Sequence, residues 1–315
     1  MRVFVAGAGG AIGRHLVPQL VAHGHEVVAT TRGGARLDEL RSLGAEPVEM
    51  DGLDAASVGE AVALAEPEIV IHEMTALSGS LDLRHFDDDF ALTNELRTRG
   101  TDHLLAAAEA VGARRFVAQG YTGWTNARSG GAVKTEEDEL DPSPPAAQRR
   151  SLEANRYLER AATTARLEGV VVRYGSLYGP DTSISGEYAE LIRRRRLPVV
   201  GDGAGVWSFV HVDDACAATV LAVEHGGPGV YNVVDDEPAT AAEWIPYLAE
   251  CLGAPPPRHV AAWFARFVVG EVGVSMMTRI RGSSNAKARR ELGWEPRWRS
   301  WREGFRDGLV DRAAA

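Results

Sequence analysis

The stretch Arg2-Val-Phe-Val-Ala-Gly-Ala-Gly-Gly-Ala-Ile-Gly13 decides the reading of this chain. Its first half is a short apolar run rich in β-branched residues and its second half is a glycine turn. Arg14-His-Leu-Val-Pro-Gln-Leu-Val21 then continues as a helix. Strand, tight turn and helix in that order make a phosphate cradle. One glycine permits the bend, a second lets a pyrophosphate approach the backbone, and a third lets helix and strand pack closely. The free N–H groups of the helix start face the phosphates. Gly7, Gly10 and Gly13 fill these places, with Ala11 and Ile12 in the first helical turn.

Working outward, 315 residues suffice for a large core and suggest a cofactor domain with a smaller appendage. No apolar run approaches about 18 residues without a charge, which argues against a membrane span. The N-terminal strand is consumed by the fold and leaves no secretory pattern. Cys216 and Cys251 have no metal-ligand spacing, so they read as reduced thiols of a cytoplasmic protein with no metal site. A net charge of −10 disfavours nucleic acid as a partner. The run Arg193–Arg196 follows Ala189-Glu-Leu-Ile192 and reads as a solvated helix end.

Apolar strand-like runs alternate with helical patterns, which predicts an α/β fold with a doubly wound, Rossmann-type parallel sheet. The predicted strands are 3–6, 26–30, 46–50, 69–72, 115–118, 170–174 and 230–233. The predicted helices are 15–22, 37–43, 55–64, 101–111 and 151–168, with Gly24, Gly44 and Gly112 where helices should stop. The polar, Gly- and Pro-rich segment 129–145 reads as a loop over the carboxyl edge of the sheet, where ligands of open α/β sheets bind.

Several further segments resemble the extended short-chain dehydrogenase/reductases, a family of nicotinamide-dependent epimerases, dehydratases and reductases. Arg173-Tyr-Gly-Ser-Leu-Tyr-Gly-Pro180 resembles the segment that closes the nicotinamide pocket. Ser208-Phe-Val-His-Val-Asp-Asp214 resembles the segment returning the chain to the core. Val230-Tyr-Asn-Val-Val-Asp-Asp-Glu-Pro238 and Asn285-Ala-Lys-Ala-Arg-Arg-Glu-Leu-Gly-Trp-Glu-Pro296 resemble C-terminal landmarks of the family. The resemblance implies a dinucleotide-binding domain over 1–181, completed by about 210–236, and a substrate-binding region over 182–209 and 237–315. It implies cofactor contacts from Asp51 and Gly52, from Met74, Thr75 and Ala76, from Gln119, and from Tyr174, Gly175 and Ser176. It implies contacts to a small-molecule substrate from Ser78, Trp124, Trp207 and His211. Homodimers of this family commonly pair through helices that here fall around 93–111 and 151–168.

Cofactor choice is read at the end of the second strand, where an acid would bind the ribose hydroxyls of NAD and repel a 2′-phosphate. Here the chain reads Ala29-Thr-Thr-Arg-Gly33. The acid is absent, and the planar fork of Arg32 pairs well with phosphate. With Thr31 beside it and Arg14 and Arg36 near in sequence, NADP is favoured over NAD. A second reading of Asp51 is that it caps a turn or the helix beginning at Ala55.

The chemistry departs from the resemblance. The family's reductases and epimerases use a tyrosine and a lysine four residues later on one helix face, the lysine easing proton exchange by the phenol. No tyrosine here has a lysine four residues on. Counting back from Glu159, Ser151 stands at the tyrosine position and Asn155 at the lysine position. Beyond the fifth strand, Gln119 and Gly120 replace the usual hydroxyl residues, and Tyr121 and Thr122 become the candidate proton donors. Without a cation nearby, Tyr121 would donate a hydrogen bond yet serve poorly as a base at neutral pH. Lys134 reads as a solvated charge and His211 as a structural residue as readily as a substrate contact. Trp207 stands where family members acting on nucleotide sugars commonly carry an arginine, which favours a less polar ligand. Three functions follow: an NADP-dependent oxidoreductase acting on a carbonyl or conjugated double bond, an epimerase or dehydratase with relocated acid/base groups, or a dinucleotide sensor without turnover.

Overall fold

The computed structural model describes residues 1–77 and 82–309. Seven parallel strands form one sheet: β1 (Arg2–Ala6), β2 (Glu26–Thr31), β3 (Glu46–Glu49), β4 (Ile69–His72), β5 (Arg115–Tyr121), β6 (Glu168–Tyr174) and β7 (Gly229–Val233). Their spatial order is β7-β6-β5-β4-β1-β2-β3. The chain therefore starts in the middle, winds to one edge and returns to build the other, which is the doubly wound arrangement the sequence predicts.

Alternate residues of each strand feed two cores. Val3, Val5, Ile69, Ile71, Val117, Val170 and Val172 pack against the helices α1 (Ala11–Ala22) and α6 (Val212–Glu224), numbered in chain order. Phe4, Val70, Phe116, Ala118 and Val171 face the opposite side. There they meet α3 (Ala55–Ala65), α4 (Thr101–Ala110) and α5 (Arg149–Thr164), while α2 (Leu37–Ser42) lies beside β3. Burial on both faces explains why these strands read as continuous apolar runs. Gly24, Gly44 and Gly112, at φ +80°, +90° and +73°, follow the ends of α1, α2 and α4. A third apolar cluster, with Phe209, Trp244, Trp301 and Phe305 fully buried, gathers residues from Phe86 and Phe90 and from the chain beyond Tyr178.

Two expectations are corrected. The helix predicted to reach Glu168 stops at Thr164, because Glu168 opens β6 and Gly169 passes so close that a Cβ there would sit 1.8 Å from the Ala162 carbonyl oxygen. Lys134 is buried rather than solvated: its ammonium pairs with Asp138 at 3.0 Å. Its segment Val133–Lys134 pairs in parallel with Gly282–Ser283, fastening the polar loop to the C-terminal region.

Two buried polar contacts fix the carboxyl ends of the central strands. Arg173 of β6 makes a bidentate pair with Glu159 of α5, both bonds at 2.6 Å. Beneath the glycine turn, the Tyr174 hydroxyl donates to Glu73 Oε1 at 3.0 Å and also meets the Thr219 hydroxyl of α6. Glu73 Oε2 has no hydrogen-bond partner, and burial pushes its carboxyl up from 4.5 to about 8, with the Tyr174 bond opposing. At neutral pH this acid is protonated. Between its ordinary value and about 8 the folded protein holds a proton that the unfolded chain releases, so stability falls as pH rises across that window. Glu73→Gln removes this slope: relative to the wild type, the variant is expected to gain up to about 1.4 kcal/mol per pH unit across the window. Urea unfolding of both proteins at pH 5 and pH 8 measures it, and parallel stability curves would show that Glu73 is ionised throughout.

Candidate active site

The cleft opens at the carboxyl ends of β1, β4 and β5 and encloses about 580 Å³. Gly7, Gly10, Ala11, Ile12 and Gly13 line it, and so does Gly9. Gly7 has φ +91°, and a Cβ on it would lie 2.8 Å from the Glu73 carbonyl group. On Gly13 a Cβ would lie 2.2 Å from the Ala8 carbonyl oxygen, so α1 can start this close to the strand only with glycine there. Gly10 is the N-cap of α1 and offers no side-chain cap, which leaves the first N–H groups of the helix for an anion. A dinucleotide's pyrophosphate fits this cradle.

At the adenosine end, Thr31, Arg32 and Arg36 line the cleft beside Met50 and Gly52. Arg36 donates from Nη1 to the Gly9 carbonyl at 2.7 Å and braces the glycine loop. Arg14 does not line the cleft but pairs with Asp181 at its rim at 3.4 Å and with Glu39 at 3.8 Å, so it is occupied by acids. Asp51 does not line the cleft. Its carboxylate accepts from the Leu53 N–H at 3.0 Å, closing a turn, while Asp54 caps α3 by accepting from Ala56.

Met74 packs against Gly52, and toward the opposite end Thr75, Ala76, Gln119, Gly175 and Ser176 line the cleft where a nicotinamide would lie. Beyond them the walls turn aromatic. Phe86 and Phe90 stack at 4.2 Å, Trp124 meets Phe86 edge-on at 5.3 Å, and Tyr121 lies 6.1 Å from Trp124. Across the cleft, Tyr188 meets Trp207 edge-on at 6.4 Å. Trp207 is largely buried, its indole N–H donating to the Met276 carbonyl at 3.0 Å. Tyr121, Trp124 and Trp207 all line the cleft, and Trp207 presents a ring rather than a charge.

Other predicted site residues lie elsewhere. Thr122 borders the cleft, but its buried hydroxyl is engaged by Ser283 and Asn126. Ser151 and Asn155 are fully buried away from the cleft; Ser151 donates to Asp87 at 2.6 Å and accepts from Asn94 at 3.1 Å. Neither position keeps the relay of the lost tyrosine and lysine. Tyr174 points under the sheet end toward Glu73 and Thr219 instead of into the cleft, because strand parity sends its side chain to the α6 face. His211 is a helix cap: Nδ1 accepts from the Asp213 N–H at 3.1 Å and Nε2 meets the Gly308 carbonyl at 3.0 Å. Ser78 lies outside the described residues.

Sequence reasoning missed Phe86, Phe90, Glu73 and Arg97. The two phenylalanines flank the acidic run Asp87–Asp89 at the spacing of one helical turn, a weak signal that gives no hint of a cleft. Arg97 is 1% exposed, and its guanidinium carbon lies 4.5 Å from the centre of the Tyr121 ring. Tyr121 therefore does have a cation beside it, contrary to the expectation.

The NAD dependent epimerase/dehydratase family model matches residues 3–233. Over 97% of this chain and 99% of that protein, the sequence is 44% identical to 3-diazoavenalumate denitrifying reductase of a Streptomyces species. It is 27% identical, over the whole of both chains, to 2-alkyl-3-oxoalkanoate reductase of Stenotrophomonas maltophilia. Among solved structures, UDP-glucose 4-epimerase of Thermus thermophilus in complex with NAD superimposes with a TM-score of 0.76 at 25% identity, covering 98% of each chain. The dinucleotide cradle and these likenesses agree, and the chain belongs to the NAD-dependent epimerase/dehydratase family of the extended short-chain dehydrogenase/reductases.

Proposed function

We propose that this chain is an NADP-dependent reductase whose acceptor is a small, planar, conjugated molecule: an aromatic ketone or enone, or a diazo-substituted aromatic acid. The observation that carries this reading is the aromatic wall of Tyr121, Trp124, Phe86 and Phe90 continuing directly from the nicotinamide end of the cradle. Such rings hold flat apolar ligands by stacking and edge contacts. The names of the Streptomyces and Stenotrophomonas relatives, both reductases, support the reaction class.

A bound nicotinamide supplies the hydride. The chain orients it through the glycine cradle, screens the reacting carbon from water with the aromatic wall, and meets charge on the acceptor with the Tyr121 hydroxyl. When the acceptor is a diazonium carbon, hydride adds to that carbon and the C–N bond pair leaves with dinitrogen, so no proton has to reach an oxygen. A site without the tyrosine and lysine pair suits such an acceptor. The epimerase reading is less well supported, since Trp207 offers no charge to a diphosphate.

Fluorescence titration with NADPH and NADH, followed by single-turnover oxidation of bound NADPH against ketones, enones, a diazo aromatic acid and UDP-glucose, tests the proposal. Oxidation by the conjugated acceptors supports it; tight retention of NAD with turnover of UDP-glucose alone would replace it with epimerisation. Arg32→Glu is expected to weaken NADPH by about 10- to 100-fold while sparing NADH, the worth of one charge-assisted phosphate contact. Equal losses for both cofactors would assign Arg32 to the loop fold alone. Trp124→Ala should raise KM for aromatic acceptors by about tenfold with NADPH affinity unchanged, and an unchanged KM would remove Trp124 from the acceptor pocket.

A further inference from the structure

The helical segment between β4 and α4 contains a wide π-helical turn, Leu96–Gly100, and such turns redirect side chains at functional sites. Arg99 on this turn faces solvent and pairs with Glu95 at 3.3 Å. Arg97 turns inward. Its two terminal nitrogens are buried without a hydrogen-bond partner of good geometry, and among the described residues no carboxylate lies within ion-pair distance of it. Burial opposes its charge, and the compensating attractions come from Tyr121 first and then from Glu159, whose carboxylate is already committed to Arg173.

The surroundings sharpen this. His72 of β4 accepts the Met74 N–H on Nδ1 and faces the Leu96 carbonyl with Nε2, and burial holds it neutral, its pKa near 4, so it adds no second cation. The segment before α4 and the first turn of α4 run alongside α5: Asn94 bonds Ser151 at 3.1 Å and Tyr157 donates to Asp102 at 2.7 Å. Those bonds bracket Arg97 against the stretch of α5 that carries Asn155, whose amide nitrogen and oxygen are likewise buried and unpartnered. Where the family resemblance leads one to expect a lysine, this chain has a neutral amide, and an arginine enters the same interface from the neighbouring helix.

A buried cation without a paired anion is costly to keep. It is useful where negative charge appears during a reaction, because a fixed charge in a dry site needs no reorganisation when that charge develops. The guanidinium lies over the Tyr121 ring, a cation–π arrangement that also orients the ring. Tyr121 itself faces the cleft.

We infer that Arg97 is the positioning residue of this site: it fixes the Tyr121 phenol toward the acceptor and stabilises the negative charge that passes to that phenol when it protonates the acceptor oxygen. The inference rests on the reductase reading. Hydride adds to the carbonyl or conjugated carbon, the displaced π pair moves onto oxygen, and the Tyr121 proton follows to that oxygen. The phenolate left behind faces Arg97 until water returns the proton.

The test compares the wild type, Arg97→Met, Arg97→Lys, Tyr121→Phe and the Arg97→Met/Tyr121→Phe double variant. The rate of single-turnover oxidation of bound NADPH is read with benzylideneacetone, an aromatic enone, and with 4-hydroxybenzaldehyde. Arg97→Met and Tyr121→Phe are each expected to slow hydride transfer by about a hundredfold, with acceptor KM and NADPH affinity unchanged. The double variant should be no slower than either single change, since the two residues act as one unit. Arg97→Lys should recover most of the rate. A wild-type rate in Arg97→Met, losses that multiply in the double variant, or an Arg97→Lys protein as slow as Arg97→Met would overturn the inference. A wild type that binds NADPH yet oxidises it with neither compound nor any conjugated acceptor would instead bring down the reductase reading, and the inference with it.

Discussion

Everything in this molecule hangs on one close approach, that of the first turn of α1 to the end of β1. Neither Gly7 nor Gly13 has room for a single methyl group, the one against the backbone of Glu73 and the other against that of Ala8. This contact sets the cradle depth and the angle at which α1 leaves the sheet, and it brings the Met74–Ala76 segment to the wall of the cleft. It also buries Glu73. The same packing that admits a pyrophosphate above the turn forces a carboxyl beneath it to keep its proton.

On that base the cleft has two chemically different halves. The adenosine half is built of backbone, threonine and arginine and is suited to phosphate. The opposite half is built of rings, with polar groups withdrawn from its surface: Arg97 is buried against the Tyr121 ring, and Ser151 and Asn155 are buried in α5. In a family whose members commonly place a tyrosine and a lysine on one helix, this chain has a buried arginine, Arg97, on the neighbouring helical segment, stacked on the ring of Tyr121 at the end of β5.

The sheet was legible because its strands are buried on both faces, so each appears as an apolar run whatever its partners. The cradle was legible for a different reason: a tight turn is local chemistry, and its glycines stand side by side in sequence. The acceptor half obeys neither rule. The Phe86–Phe90 turn meets Trp124 and Tyr188, and Arg97 meets Tyr121, only through tertiary packing of segments far apart in sequence. Tyr174 shows a subtler loss, for its place at a strand end is correct while the pleat parity that turns it to the far face is invisible without the register. The end of α5 was misread because helical periodicity continued past Thr164, and only the passage of Gly169 against Ala162 shows where the helix must stop.

The pair between Arg14 and Asp181 spans the flank of the cradle, tying the first turns of α1 to the loop that follows β6. Both partners reach solvent, and an exposed ion pair contributes only about 0–1 kcal/mol and weakens as ionic strength rises. A clasp of this strength opens on thermal motion alone. Its strength follows the ionic strength around the molecule, so the flank of the cradle is held more loosely in concentrated salt than in dilute buffer.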